Sequence, residues 1–193
     1  MLRILDTYAF SIKKNRKGCV MQHTQQTTPK IYVACLAAYN NGYLHGAWID
    51  ANQDKDALYD EIKRMLSKSP IERAEEWAIH DYEGFCGLRL SEYEDIATVA
   101  EMAAMIEEHG EAWAKYAEYQ GVKYATKESF EDAYEGEWES EQDFAENLAS
   151  ETMEIPKHLE YYIDYEKLAR DLFINDYFSA DAEGGKVYVF RRK

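Results

Sequence analysis

Between Lys127 and Lys157 the chain carries eleven Asp and Glu residues and no Lys or Arg. Such a segment cannot form a core, because burying an unpaired carboxylate is prohibitively costly. It has to lie on a surface, held there by whatever apolar residues it contains. The helix expected from Ser140 to Met153 has them: Phe144, Ala145, Leu148 and Ala149 fall on one side. Asp143 and Glu146, with Glu139 before and Glu154 after, lie outside without a basic neighbour. Like charges three or four residues apart cost a helix about 0.2–0.5 kcal/mol per pair, so this face is stable only at some expense.

The imbalance extends to the whole chain. Against 22 Lys and Arg stand 37 Asp and Glu, a formal charge of −15. Residues 1–30 run the other way, with six bases and one acid, so residues 31–193 carry −20. That charge argues against direct binding to nucleic acid or to an anionic membrane, both of which repel it. A basic partner stays open. Hydrophobic residues at 46% allow a packed core. No apolar run approaches the roughly 20 residues of a membrane helix. Three widely spaced cysteines, Cys19, Cys35 and Cys86, read as reduced thiols of a cytoplasmic protein.

Periodicity gives an α+β chain. Residues 1–30 read as a flexible basic leader, with Met21 as a possible start. Ile31–Ala37, Tyr43–Ile49 and Trp77–Tyr82 read as strands, the first two joined by a turn at Asn40-Asn41-Gly42. Asp54–Leu66 reads as a helix with Leu58, Ile62 and Met65 inward. Ser91-Glu-Tyr-Glu94 has the spacing of a capping box opening a helix to Gly110. A shorter helix over Glu111–Tyr119 follows, closed by Gly121. Further helix starts are expected at Ser129 and Ser140, and a helix over 156–173 opened by Pro156. Tyr177–Ala182 and Lys186–Arg191 form a terminal hairpin around Gly184-Gly185. These elements divide as a leader (1–30), an N-terminal sheet-plus-helix unit (31–91), a helical middle (92–134) and a C-terminal α+β unit (135–193).

Constellations that would carry chemistry are weak. Asp50, Asn52, Asp54, Asp56 and Glu61 have the spacing of a calcium loop, but Lys55 stands where that loop needs glycine. They read instead as an acidic loop into a helix. No two of His23, His45, His80, His109 and His158 have metal-ligand spacing, and no Cys-x-x-Cys occurs. His80 and Asp81, adjacent on a strand, are expected to face opposite sides. Tyr161, Tyr162 and Tyr165, like Trp113, Tyr116 and Tyr119, read as core or dimer contacts and not as a base-stacking platform. No catalytic, cofactor or metal residue is assigned.

Three blocks carry a resemblance. Residues 31–50 (IYVACLAAYNNGYLHGAWID), 76–83 (EWAIHDYE) and 155–171 (IPKHLEYYIDYEKLARD) resemble the ArdA antirestriction family over nearly all the chain after the leader. The resemblance implies a non-enzymatic, elongated homodimer, joined through its C-terminal unit, that imitates bent duplex DNA. It implies inhibition of type I restriction–modification enzymes by occupying their DNA groove. The mimicking surface is then expected from Glu107, Glu108, Glu111, Glu118, Glu128, Glu131, Asp132, Glu135, Glu137, Glu139, Glu141, Asp143, Glu146, Glu151 and Glu154. The other reading is an acidic scaffold or chaperone for basic proteins.

Overall fold

The structure is a computed structural model and describes residues 28–192. The leader reading for residues 1–27 lies outside them. Among the described residues the chain forms six helices and two small antiparallel sheets.

The first sheet has the order β2-β1-β3, from β1 (Lys30–Cys35), β2 (Gly46–Asp50) and β3 (Trp77–Glu83). Alternation sends Ile31, Val33, Ile49 and Ile79 into the core. Two strand expectations ran too far. Leu36 and Ala37 belong to a short helix, α1 (Leu36–Asn40), and residues 43–45 are irregular before β2 begins. At the start of β2, a Cβ on Gly46 would meet the Val33 carbonyl and the Tyr32 ring at 2.6–2.7 Å. Only glycine lets β2 approach β1 that closely.

A register shift in the β1–β3 pairing leaves His80 as the extra residue between Ile79, opposite Val33, and Asp81, opposite Tyr32. Strict alternation fails there, so His80 and Asp81 are both exposed, and His80 meets Tyr39 edge-on at 5.1 Å. The expectation of opposite faces is corrected by this bulge.

Helix α2 (Lys55–Leu66) starts where Asp54 Oδ1 accepts hydrogen bonds from the Asp56 and Ala57 amides, and buries Leu58, Ile62 and Met65. Gln53 donates to the Asp50 carbonyl and to Glu61, so the calcium-like residues are tied into a loop and cap. Helix α3 (Ile96–Gln120) begins later than the capping-box spacing implies. The Ser91 amide does donate to Glu94, at 3.2 Å, but this closes a turn ahead of the helix, whose N-cap is Asp95. Gly110 breaks α3 with φ 63 and ψ −150, separating the two helices read in the sequence.

Three further starts differ or were missed, and one is as expected. Helix α4 (Lys127–Ala133) is capped by Thr126, whose hydroxyl accepts from the Ser129 amide, so Ser129 lies inside the helix. Strand β4 (Tyr134–Trp138) follows directly. Helix α5 (Glu141–Thr152) is capped by Ser140 as expected. Pro156 opens only turns and a 3-10 segment, and α6 (Tyr165–Asn175) starts from the cap of Asp164, which accepts from the Lys167 amide at 3.0 Å. Strands β5 (Tyr177–Asp181) and β6 (Val187–Arg191) make the terminal hairpin, and β4 joins it to give the order β4-β6-β5.

One continuous core runs from Ile31, Val33 and Ile49 through Leu58, Ile62, Ile96, Val99 and Ile106 to Trp113, Tyr116, Phe130, Phe178 and Phe190. The two large polar-tipped rings in it are satisfied: Trp113 Nε1 donates to the Ala125 carbonyl and Tyr116 hydroxyl to that of Ser129, each at 3.0 Å. A smaller cluster of Phe144, Tyr177 and Val189 seats α5 on the second sheet. Among the described residues no helix is long and apolar enough to cross a membrane.

Candidate acidic interface

The acids expected to form the surface come from α3, α4, β4 and α5, with Glu139 and Glu154 flanking α5. Twelve of the fifteen are exposed; Glu111, Glu135 and Glu141 are half-buried. Exposure alone does not make them equivalent, because the fold brings bases from distant sequence to some of them.

The second sheet does most of this. Arg191, the last residue of β6, sets Nη2 2.7 Å from Glu135 Oε1. Lys186, just ahead of β6, lies 3.1 Å from Glu137 and 3.4 Å from Glu139. Both carboxylates hold the Lys186 ammonium above the ordinary lysine range. Glu139 therefore has a basic neighbour, contrary to the reading from the sequence. On α3 and α4, Lys127 pairs with Glu108, lowering that carboxyl below its usual value, and Lys115 reaches Glu111 at 3.9 Å. Glu128 is held low by its own backbone amide and the Thr126 hydroxyl. Glu131 and Asp132 also have partners. Glu141 accepts a 2.6 Å hydrogen bond from the Ser179 hydroxyl and faces the sheet.

What remains is a distinct set. Glu107 and Glu118 on α3, and Asp143, Glu146, Glu151 and Glu154 on or just after α5, are exposed and make no ion pair with any described residue. The anchor of this face is α5's inner side: Phe144 packs edge-on against Trp138 at 5.4 Å and Tyr177 at 4.8 Å, with Ala145 and Ala149 buried beside it. Fixing the helix in this way fixes where its carboxylates stand. Chemically, such a face can attract cations or a cationic protein surface.

The sequence reading missed Lys186, Arg191 and Lys127 as counter-charges. A signal was present. Tyr134, Gly136 and Trp138 alternate with Glu135, Glu137 and Glu139, a period of two that marks β4 and so its pairing with the basic hairpin.

The comparison with protein families matches residues 31–186 to the family described as antirestriction protein (ArdA). The chain belongs to the ArdA antirestriction family. ArdA membership carries an antirestriction role and with it interaction with restriction enzymes, and the family is not a catalytic one. No curated protein matches the chain. The matched span includes every element from β1 to the Lys186 turn, and with it all fifteen acids expected at the ArdA surface.

The two tyrosine groups separate. Trp113 and Tyr116 are core residues, and Tyr119 stacks on Phe178 at 3.9 Å. Tyr161 and Tyr162 are 93% and 82% exposed, so neither is in the core. Deeper in the second sheet, burial and the carboxylates of Glu111, Glu137 and Glu183 push the Tyr188 phenol up to about 12.

Proposed function

We propose that this ArdA protein acts as a duplex decoy, occupying the DNA-binding groove of a type I restriction–modification enzyme and excluding DNA by competition. The observation that carries the reading is the α5 face: Asp143, Glu146 and Glu151 on the helix and Glu154 just after it stand exposed, with no ion pair among the described residues, on an element anchored by Phe144. An enzyme that binds duplex by neutralising phosphates meets one charge per about 1.7 Å of axis. Carboxylates one helical turn apart sit at about 5–6 Å, close enough to engage the same lysines and arginines. Because the fold already orders them, little entropy is lost on binding.

The reading keeps the three units expected from the sequence and makes the protein a homodimer. The exposed rings of Tyr161 and Tyr162, between the half-exposed Leu159 and the α6 cap, suit a subunit contact better than open solvent.

The test is competition between this protein and a labelled duplex for a purified type I methyltransferase, at two salt concentrations. Inhibition is expected to weaken at the higher salt. Glu146→Gln alone is expected to change little, while Asp143→Lys, Glu146→Lys, Glu151→Lys and Glu154→Lys together abolish competition. Equal inhibition by the fourfold variant would remove the α5 face from the decoy. Equal binding to unrelated basic proteins would favour the scaffold reading instead.

A further inference from the structure

We propose that Glu108, His109 and Glu131 form a site for one divalent transition-metal ion of the zinc type, which displaces the ammonium of Lys127. The three side chains offer ligand atoms that all lie within 4.8 Å of one another. Glu108 and His109 end the first half of α3, immediately before the Gly110 break, and Glu131 comes from α4. Two elements separated by the 3-10 turn at Val122–Tyr124 are thus brought to a common point.

A separate observation points to a ligand there. His109 Nε2 is buried and has no hydrogen-bond partner among the described residues, a condition that folded proteins rarely leave unrelieved. Glu108 Oε1 stands 3.8 Å from it, too far for a hydrogen bond. Two metal–ligand bonds of about 2.1 Å meeting at an open angle span that gap. The ring is held in place by Phe130, with centroids 4.8 Å apart, so the nitrogen is presented and not merely nearby.

The position already holds positive charge. Lys127 Nζ binds Glu108 and lies close enough to His109 to influence it electrostatically. A divalent ion replacing it would balance both carboxylates, and solvent could complete its coordination because Glu108 and Glu131 are exposed. One imidazole with two carboxylates is a zinc-type donor set. Calcium and magnesium prefer all-oxygen shells of six or more and are poorly served. A bound ion would join α3 to α4 and remove two charges from the acidic surface. The proposal does not depend on the decoy reading.

The experiment is titration of the untagged full chain with zinc chloride, followed by the imidazole resonances of His109, with cobalt(II) absorption as a second probe. One equivalent is expected to bind with the His109 Nε2 signal shifting. Glu131→Gln, a change at an exposed side chain, should weaken that equivalent at least tenfold, and His109→Gln should abolish it. Lys127→Ala should tighten it at least tenfold. If zinc binds only without saturation, as to scattered carboxylates, or leaves His109 unmoved, the site does not exist. Unchanged affinity in Glu131→Gln overturns the ligand set, and unchanged or weaker affinity in Lys127→Ala overturns the displacement.

Discussion

Lys186 and Glu137 face each other across the edge of the second sheet, ammonium to carboxylate at 3.1 Å. With Arg191 on Glu135, this pairing divides the acid-rich stretch into a part neutralised by the hairpin and a part, on α5, left bare. The divide follows from topology: β4 pairs with β6, while α5 turns its polar face away from the sheet.

Lys186→Gln therefore frees Glu137 and Glu139 together. Partly exposed pairs of this kind add little to stability, so the melting temperature is expected to stay nearly constant. Competition with duplex at low salt should strengthen, by roughly two- to five-fold, and the gain should vanish at high salt. Weaker competition would mean that Lys186 itself contacts the enzyme.

Gly110 makes a second test. Its φ of 63 and ψ of −150 lie in a region essentially reserved for glycine, in the buried middle of α3. Gly110→Ala either imposes that strain on an alanine or straightens the helix and shifts Trp113 and Tyr116. A loss of about 1–3 kcal/mol is expected from urea unfolding. An unchanged midpoint would show that the two halves of α3 tolerate another relative direction.

Much of this was legible from periodicity. Leu58, Ile62 and Met65 fall inward in α2, and Ile96, Val99, Ala103 and Ile106 in α3, because helical spacing marks a face wherever burial is one-sided. The capping signals were less reliable. Ser140 caps α5, but Ser129 loses to Thr126, since the same residue types stabilise a first turn from either place. The helix expected from Pro156 failed because Asp164 offers a cap of its own eight residues later. The candidate surface was visible as a list of acids and not as a pattern of charge. Neutralisation of Glu135, Glu137 and Glu139 depends on residues some fifty positions away, which no local window contains.

Tyr188 sets an alkaline limit. Its phenol is raised to about 12, first by burial and then by Glu111, Glu137 and Glu183. With the folded value above the unfolded one near 10, the folded state keeps its proton where the unfolded chain has released it. Stability is intact below about pH 10 and declines as the pH rises toward 12. Tyr188→Phe removes the titrating group and should flatten that decline, measured as the melting temperature across the alkaline range. The same slope in both proteins would assign it to other groups raised there, Tyr177 and the paired lysines among them.

The subunit contact is the last expectation to be tested, and the argument for it is one of area. Tyr161 and Tyr162 leave almost their whole rings in solvent, and each ring can bury about 150–250 Å². A twofold contact uses every such residue twice, so two tyrosines supply four rings to one interface. Losing them should cost far more than the 1.4 kcal/mol that changes an association constant about tenfold. Tyr161→Ser with Tyr162→Ser is expected to shift sedimentation from dimer to monomer at micromolar concentration while leaving the far-ultraviolet spectrum unchanged, because neither ring supports the core of its own subunit. A double variant that still sediments as the dimer would place the contact elsewhere on the surface.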